Sequence, residues 1–143
     1  MTSQGRKLHS RGGMEHLPRC ISLVAEAGRR AGMSARQREV LESAVRDAYL
    51  AIVEAGQRDS RRAPIEVEAG WNDEAVTVRL THGGSSLEKL FDRRHPDPRV
   101  AAMCTALDEV MYVKGDRHGH QLSLCVRVKR AARPAARRTA GSR

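Results

Sequence analysis

The residues most suggestive of chemistry form the stretch T-H-G-G-S-S-L-E, from Thr81 to Glu88. It directly follows a run that alternates apolar and polar residues, as a β-strand does. Two glycines after a strand allow the backbone to approach a phosphate group closely, because glycine has no Cβ atom. The stretch therefore raises the question of whether it holds a nucleotide or only forms a turn.

A second candidate is the segment His118-Gly119-His120. Two histidines could be part of a metal site. Two histidines in a turn, with no third ligand nearby, usually coordinate nothing, since zinc sites use three or four protein ligands. We therefore expect no metal ion here.

The formal net charge of +9 would suit a nucleic-acid-binding protein. However, nine of the basic residues lie in residues 1–13 and 129–143, which contain no acidic residue, whereas residues 14–128 carry 17 basic and 17 acidic side chains. The sequence thus predicts one domain at 14–128 between two basic, disordered tails. A basic tail can bind phosphate or an acidic protein surface, but a neutral domain argues against sequence-specific nucleic-acid binding.

Hydropathy and cysteine spacing suggest a compartment. The sequence contains no run of about 18 apolar residues, and its first residues have no apolar signal-peptide region. We therefore expect a cytoplasmic protein. Cys20, Cys104 and Cys125 are far apart and form no C-x-x-C pair, which predicts buried, reduced thiols.

Helical periodicity is clear in the first half of the chain. Apolar residues recur at helical spacing over 19–31, and Gly32 is a typical helix stop. Ser34 and Gln37 have the spacing of a capping box, which predicts a long second helix that runs to about Gly56.

The second half alternates as strands do. Residues 65–70 and 75–80 predict a hairpin around the turn W-N-D-E, in which Trp71 either anchors a partner or folds back over the sheet. A loop or mobile lid follows, then a third helix of about ten residues that ends near Asp108, and a second hairpin. The predicted fold is α+β, a two-layer sandwich of three helices on a mainly antiparallel, four- to five-stranded sheet.

This order of elements, together with three stretches, resembles the RsbW-type anti-sigma factors, which are serine-protein kinases of the GHKL (histidine-kinase-like) ATPase superfamily. The likeness covers residues from about 17 to 128. The first stretch, Ala44 to Gly56, is similar to the family's N-box, and the second, His82 to Glu88, stands where the family has D-x-G-x-G-F-D. The third, Ala106 to Tyr112, is followed by a Gly-containing turn and a last strand and is similar to the family's closing helix and hairpin.

The resemblance implies roles that several residues of this chain are unable to fill. The N-box acid, a general base, would be Asp47, whereas the Mg²⁺-binding Asn of the family is replaced by Ala51. The adenine-binding Asp is replaced by His82, the first motif glycine is Gly84, and the second is replaced by Ser86. Alanine offers no ligand to a metal, and a histidine is not the carboxylate that accepts the adenine amino group.

The family's phosphate-binding lid is replaced here by D-P-R-V, residues 97–100. Proline has no N–H to donate, and an aspartate would repel phosphate. We therefore interpret the chain as having a degenerate nucleotide site without ATP or Mg²⁺. Asp47 is a catalytic residue only if the chain is an active kinase.

By the same resemblance, the chain is expected to be an anti-sigma-like regulator of transcription. Its partners would be a sigma factor, a STAS-type anti-anti-sigma protein, or both, and it would form a homodimer. Carry-over from the family places the partner-binding surface at Arg29, Arg30, Arg36 and Arg38. Two alternatives remain open: an active serine/threonine-protein kinase that phosphorylates an anti-anti-sigma factor, and a nucleic-acid binder that acts through the basic tails.

Overall fold

A computed structural model describes residues 3–58, 64–115 and 119–129. Within these ranges the chain forms three α-helices and five β-strands. In chain order they are β1 (Gln4–Ser10), α1 (Leu17–Ala31), α2 (Ala35–Arg58), β2 (Ile65–Trp71), β3 (Ala75–His82), α3 (Pro98–Ala106), β4 (Glu109–Val113) and β5 (His120–Arg127). Short 3-10 turns cover Met14–His16 and Glu88–Phe91.

The strands form one open antiparallel sheet in the order β1-β2-β3-β5-β4. Side chains that point towards the helices are buried, whereas those on the opposite face are partly or fully exposed. The predicted α+β class, with three helices and an antiparallel sheet, is therefore confirmed for the described residues. Membrane insertion finds no support in the helices described, since none of them is long and apolar enough to cross a bilayer.

The helix boundaries follow local signals in the sequence. Gly32 ends α1 in the left-handed conformation, with φ of 87°, and its N–H donates to the carbonyl group of Arg29. Ser34 caps α2, because its hydroxyl accepts a hydrogen bond from the N–H of Gln37 at 3.2 Å. The Gln37 side chain takes a different role: its amide donates to the carbonyl of Arg127 at 2.9 Å and so ties α2 to the end of β5.

The first strand corrects the sequence analysis. Residues 1–13 were expected to be a disordered tail, but Gln4–Ser10 pairs along its full length with β2. Its burial pattern explains the error, because five of its seven residues are exposed and no alternation marks the strand. The strand is held at its end by Tyr49 of α2, whose hydroxyl donates to the carbonyl of Gly13 at 2.6 Å and lies 2.7 Å from the Ser10 hydroxyl.

Two smaller expectations are also settled. Trp71 is 8% exposed, so it folds into the core and does not stand free at the hairpin tip. The prediction of three buried thiols is right for Cys20 and wrong for Cys104, which is exposed, while Cys125 is partly exposed. Cys104 lies in α3, one residue after the buried Met103.

Candidate functional site

Sheet register brings together residues that are distant in the sequence. Ser10 lies opposite Ile65, Ile65 opposite His82, and His82 opposite His120, so these four residues form one row across the end of four strands. All four are buried, on the face that packs against the helices. The glycine turn that follows His82 therefore starts beside a second buried histidine.

His82, Tyr112 and His120 form what we call the histidine cluster. The ring centroids of the two histidines are 5.1 Å apart, and the Tyr112 ring lies 6.0 Å from His82 and 6.3 Å from His120. His82 is only 2% exposed and His120 only 8% exposed. Phe91 stacks on Tyr112 at 4.9 Å with nearly parallel rings, so it covers the cluster from the segment before α3.

Both ring nitrogens of His82 are engaged within the chain. Its Nδ1 donates to the carbonyl of Gly83 at 3.0 Å, which requires that Nδ1 carries the proton. Nε2 lies 3.2 Å from the Tyr112 hydroxyl, which donates to it when the ring is neutral. The Tyr112 oxygen in turn accepts a hydrogen bond from the N–H of Leu87 at 2.8 Å, so the neutral imidazole fixes both ends of the loop that follows β3.

His120 is engaged in the same way. Its Nε2 donates to the carbonyl of Gly84 at 3.0 Å, and its Nδ1 accepts from the N–H of Gly115 at 3.1 Å. Gly84 has φ of 75°, a conformation that favours glycine. The Gly83-Gly84 turn is thus held by one hydrogen bond from each of the two histidines.

Burial acts on the ionisation of the cluster. It lowers the pKa of His82 below 6.5, because a charged imidazolium loses its hydration there; the bond to Gly83 opposes this effect, and neighbouring His120 adds to it. Burial therefore favours the neutral form of His82, in which Nδ1 donates to Gly83 and Nε2 accepts from Tyr112.

The residues expected at a nucleotide site are divided between two cavities and the histidine cluster. Asp47 lies in a groove between α2 and α3, of about 270 Å³, together with Ser43 and Met103. Ala51 and Ser86 line a different cavity, of about 380 Å³, between α2 and the loop after β3. Gly84 is bound to His120, and His82 is buried in the cluster.

The start of α3 is also occupied by its own side chains. Asp97 caps the helix, since its carboxylate accepts a hydrogen bond from the N–H of Arg99 at 2.8 Å. The Arg99 guanidinium binds Glu54 of α2 at 3.0 Å and Asp97 at 3.3 Å. These contacts, the one with Glu54 first, raise the pKa of Arg99 above its usual value. The segment D-P-R-V therefore connects α3 to α2 through charged groups.

The four arginines expected at a partner surface differ in their environment. Arg29 and Arg30 are exposed in the last turn of α1, where a positive charge is favoured by the helix dipole. Arg30 also binds Glu26 at 3.0 Å. Arg36 is exposed at the start of α2, but Arg38 is partly buried and donates to the carbonyl of Met33 at 3.1 Å.

The stem of Arg38 lies against Gly28 of α1. A Cβ atom at Gly28 would come within 2.9 Å of Arg38 Cγ. Arg38 therefore stabilises the connection between α1 and α2, and the arginines left available to a partner are Arg29, Arg30 and Arg36.

Sequence reasoning missed Tyr112 as a member of the site. The residue was noted only as part of a similar stretch, although it alternates with exposed Met111 and Val113 and so had to point towards the core. The role of His120 was also missed, because its partner His82 is identified only by the pairing of β3 with β5. Asp108, expected at the junction of helix and strand, does lie there and accepts a hydrogen bond from the N–H of Arg127 at 2.7 Å.

Metal binding gains no support from the part of the chain that is described, in which no three potential ligands come together. His118 lies outside the described residues.

The architecture defines an α+β protein with an open antiparallel sheet and a hydrogen-bonded histidine cluster. No family model and no curated protein matches the chain.

Proposed function

We propose that this chain is a regulator of the anti-sigma type, which acts by binding a sigma factor or a STAS-type antagonist and neither holds Mg·ATP nor transfers phosphate. The proposal extends the resemblance to RsbW-type proteins. The observation that carries it is the state of His82, whose two ring nitrogens are both used within the chain.

Nucleotide binding would require the loss of existing bonds. An adenine amino group needs an acceptor, and the only acceptor nitrogen of the neutral His82 ring already accepts from Tyr112. A phosphate at the start of α3 would meet the Asp97 carboxylate, which holds the N–H of Arg99. Ala51 offers no oxygen to Mg²⁺. Each of these features supports a binding protein without kinase activity.

Partner binding has a candidate surface. Arg29, Arg30 and Arg36 are exposed around the connection between α1 and α2 and can pair with acidic groups of a partner, which mainly affects the association rate and specificity. The connection itself is held by the hydrogen bonds of the Gly32 cap and of Arg38. A fixed backbone would present these charges without a large loss of conformational entropy on binding.

The first test is calorimetric titration of the full chain with ATP and with ADP, each with Mg²⁺. We expect no heat of binding from a protein shown to be folded by circular dichroism. Binding, together with transfer of labelled phosphate to a STAS-type protein that is abolished by Asp47→Ala, would instead establish the active kinase.

The second test addresses the partner. A panel of sigma factors and STAS-domain proteins from the source genome is titrated against the chain by biolayer interferometry. We expect a specific complex that is weakened at least about tenfold by Arg29→Glu combined with Arg30→Glu, since like charges are then brought together. The control is Arg46→Glu, a single charge reversal at an exposed arginine in the middle of α2. Equal affinity of the double variant and the control would contradict the assignment of the surface.

Homodimerisation, which the resemblance also implies, remains a prediction. Sedimentation equilibrium of the full chain measures it directly. A monomer at all concentrations would limit the proposal to a one-to-one complex with the partner.

A further inference from the structure

The groove between α2 and α3 has features that the proposed function does not use. Its walls consist largely of small or apolar side chains, among them Val40, Ser43, Ala44 and Ala106, so the backbone of a peptide could lie close to both helices. Two carboxylates, Glu39 and Asp47, also line it. Neither of them has an ion pair or hydrogen bond with any residue in the described ranges.

The described chain ends beside this groove. The N–H of Lys129 donates to Gln37 at 3.3 Å, and Gln37 is the neighbour of Arg36, which lines the groove on the α2 side. On the other side, the N–H of Arg127 donates to Asp108, two residues after Ala106. The last residues of the described chain are therefore bonded to Gln37 and Asp108, which lie within two residues of the two walls of the groove.

The sequence that follows has the composition to fit. Residues 130–143 read R-A-A-R-P-A-A-R-R-T-A-G-S-R, in which pairs of alanines and a proline separate arginines. Alanine and proline suit a shallow groove of small residues, and arginine suits carboxylates, with which it forms bidentate hydrogen bonds.

The spacing of the two carboxylates on α2 also matches the spacing of two arginines in residues 130–143. Glu39 and Asp47 are eight residues apart on α2, which corresponds to about 12 Å at a rise of about 1.5 Å per residue. Arg133 and Arg137 are four residues apart, and in an extended peptide with about 3.1 Å per residue this is also about 12 Å. The four residues from Lys129 to Arg133 reach about 13 Å, enough to pass from the Gln37 contact to Glu39.

We propose that residues 130–143 bind in the α2–α3 groove of the same chain, with Arg133 at Glu39 and Arg137 at Asp47. The segment would then run in the direction of α2 and cover the open side of Arg36. It would act as an internal competitor for acidic partners of that surface. The inference stands on the groove and on the course of the chain, and it does not depend on which partner the protein binds.

The experiment compares amide resonances of three full-length proteins by ¹H–¹⁵N correlation spectroscopy. In the first variant Arg133→Glu and Arg137→Glu are combined; in the matched control Arg138→Glu and Arg143→Glu are combined, so both variants change the net charge equally. We expect shifts of the Ser43, Ala44 and Ala106 amides in the first variant only. High salt should shift the same amides of the unmodified protein, because the ion pairs are screened.

A charge exchange makes the result specific. Glu39→Arg with Asp47→Arg should produce the same shifts, and its combination with Arg133→Glu and Arg137→Glu should restore the original spectrum outside the substituted positions. Identical groove amides in the unmodified protein and in the first variant would overturn the proposal and leave the basic residues for an external polyanion. Shifts of equal size in the control would also overturn it, since they would reflect net charge alone.

Discussion

Acid should destabilise this protein through His82, and the size of the effect can be worked out from the structure. The folded state holds the ring neutral, with a pKa below 6.5, whereas in the unfolded chain the ring titrates near 6.5. The folded state then binds fewer protons, so the contribution of His82 to stability is fully present above the unfolded pKa and is lost as the pH falls below it.

The loss is bounded by the proton uptake of the unfolded chain. At about pH 5.5 the unfolded imidazole is protonated roughly ten to one, which lowers the free energy of unfolding by about 1.4 kcal/mol if the folded ring remains neutral. Urea unfolding between about pH 7.5 and 5.5 measures this quantity, with the slope on urea concentration used to check that the transition stays two-state.

The variant His82→Gln isolates the effect. Glutamine can donate to Gly83 and accept from Tyr112, but it does not titrate. We expect the variant to lose less stability than the unmodified protein over the same pH range, by up to about 1.4 kcal/mol. The control His95→Gln, at an exposed position in the loop before α3, should follow the unmodified protein. Parallel pH profiles of the unmodified protein and His82→Gln would refute the reasoning, because the buried ring would then play no part in the pH dependence.

Other predictions concern the anchoring of β1, the end of α1 and the burial of the cysteines. Tyr49→Phe removes the hydroxyl that holds Ser10 and the end of β1, so urea unfolding should show a loss of about 1–3 kcal/mol; a loss below about 0.5 kcal/mol would mean that β1 is not anchored there. Gly32→Ala should cost about 1–2 kcal/mol of stability, because φ is 87° at this position. No atom lies within 4 Å of the added Cβ, so the loss would come from the backbone and not from a clash. Thermal unfolding measures it, with Gly32→Asn as the milder control. Under native conditions a thiol reagent should modify exposed Cys104 but spare Cys20, whose pKa burial raises to about 12; equal rates would contradict the burial of Cys20.

Local signals predicted the helices well because their boundaries depend on neighbouring residues. Gly32 and Ser34 act through their own backbone and side chain, and both have the predicted role. The strand β1 depends instead on pairing with β2, more than 50 residues later, and its sequence carries no alternation. It could not be recognised from local pattern, because an edge strand with a largely exposed surface needs no apolar face.

The candidate site also depends on strand pairing more than on local sequence. Each residue of the histidine cluster was visible in the sequence, but their meeting depends on the register that aligns His82 with His120 and on the β4–β5 pairing that places Tyr112 opposite Leu122. A shift of one residue in either pairing would turn the side chains to the other face. The glycine turn was therefore recognisable as a turn, whereas the groups that hold it were not.

The substitution His82→Asp tests whether the turn is a closed structural element or a latent nucleotide site. An aspartate there would restore the carboxylate of the resembled family, but the site that receives it is 2% exposed and is lined by the carbonyl group of Gly83. A carboxylate cannot donate to that carbonyl, and its charge would be buried and desolvated there, so we expect a loss of roughly 3 kcal/mol or more at neutral pH.

The same variant should gain no Mg·ATP binding, because Ala51 and Asp97 are unchanged. Stability should recover partly as the pH falls, since a protonated carboxyl group can donate to Gly83. This dependence is opposite in sign to that of the unmodified protein. If His82→Asp instead kept its full stability at neutral pH and bound Mg·ATP in calorimetry, the histidine cluster would be replaceable and the turn would still be a nucleotide-binding loop.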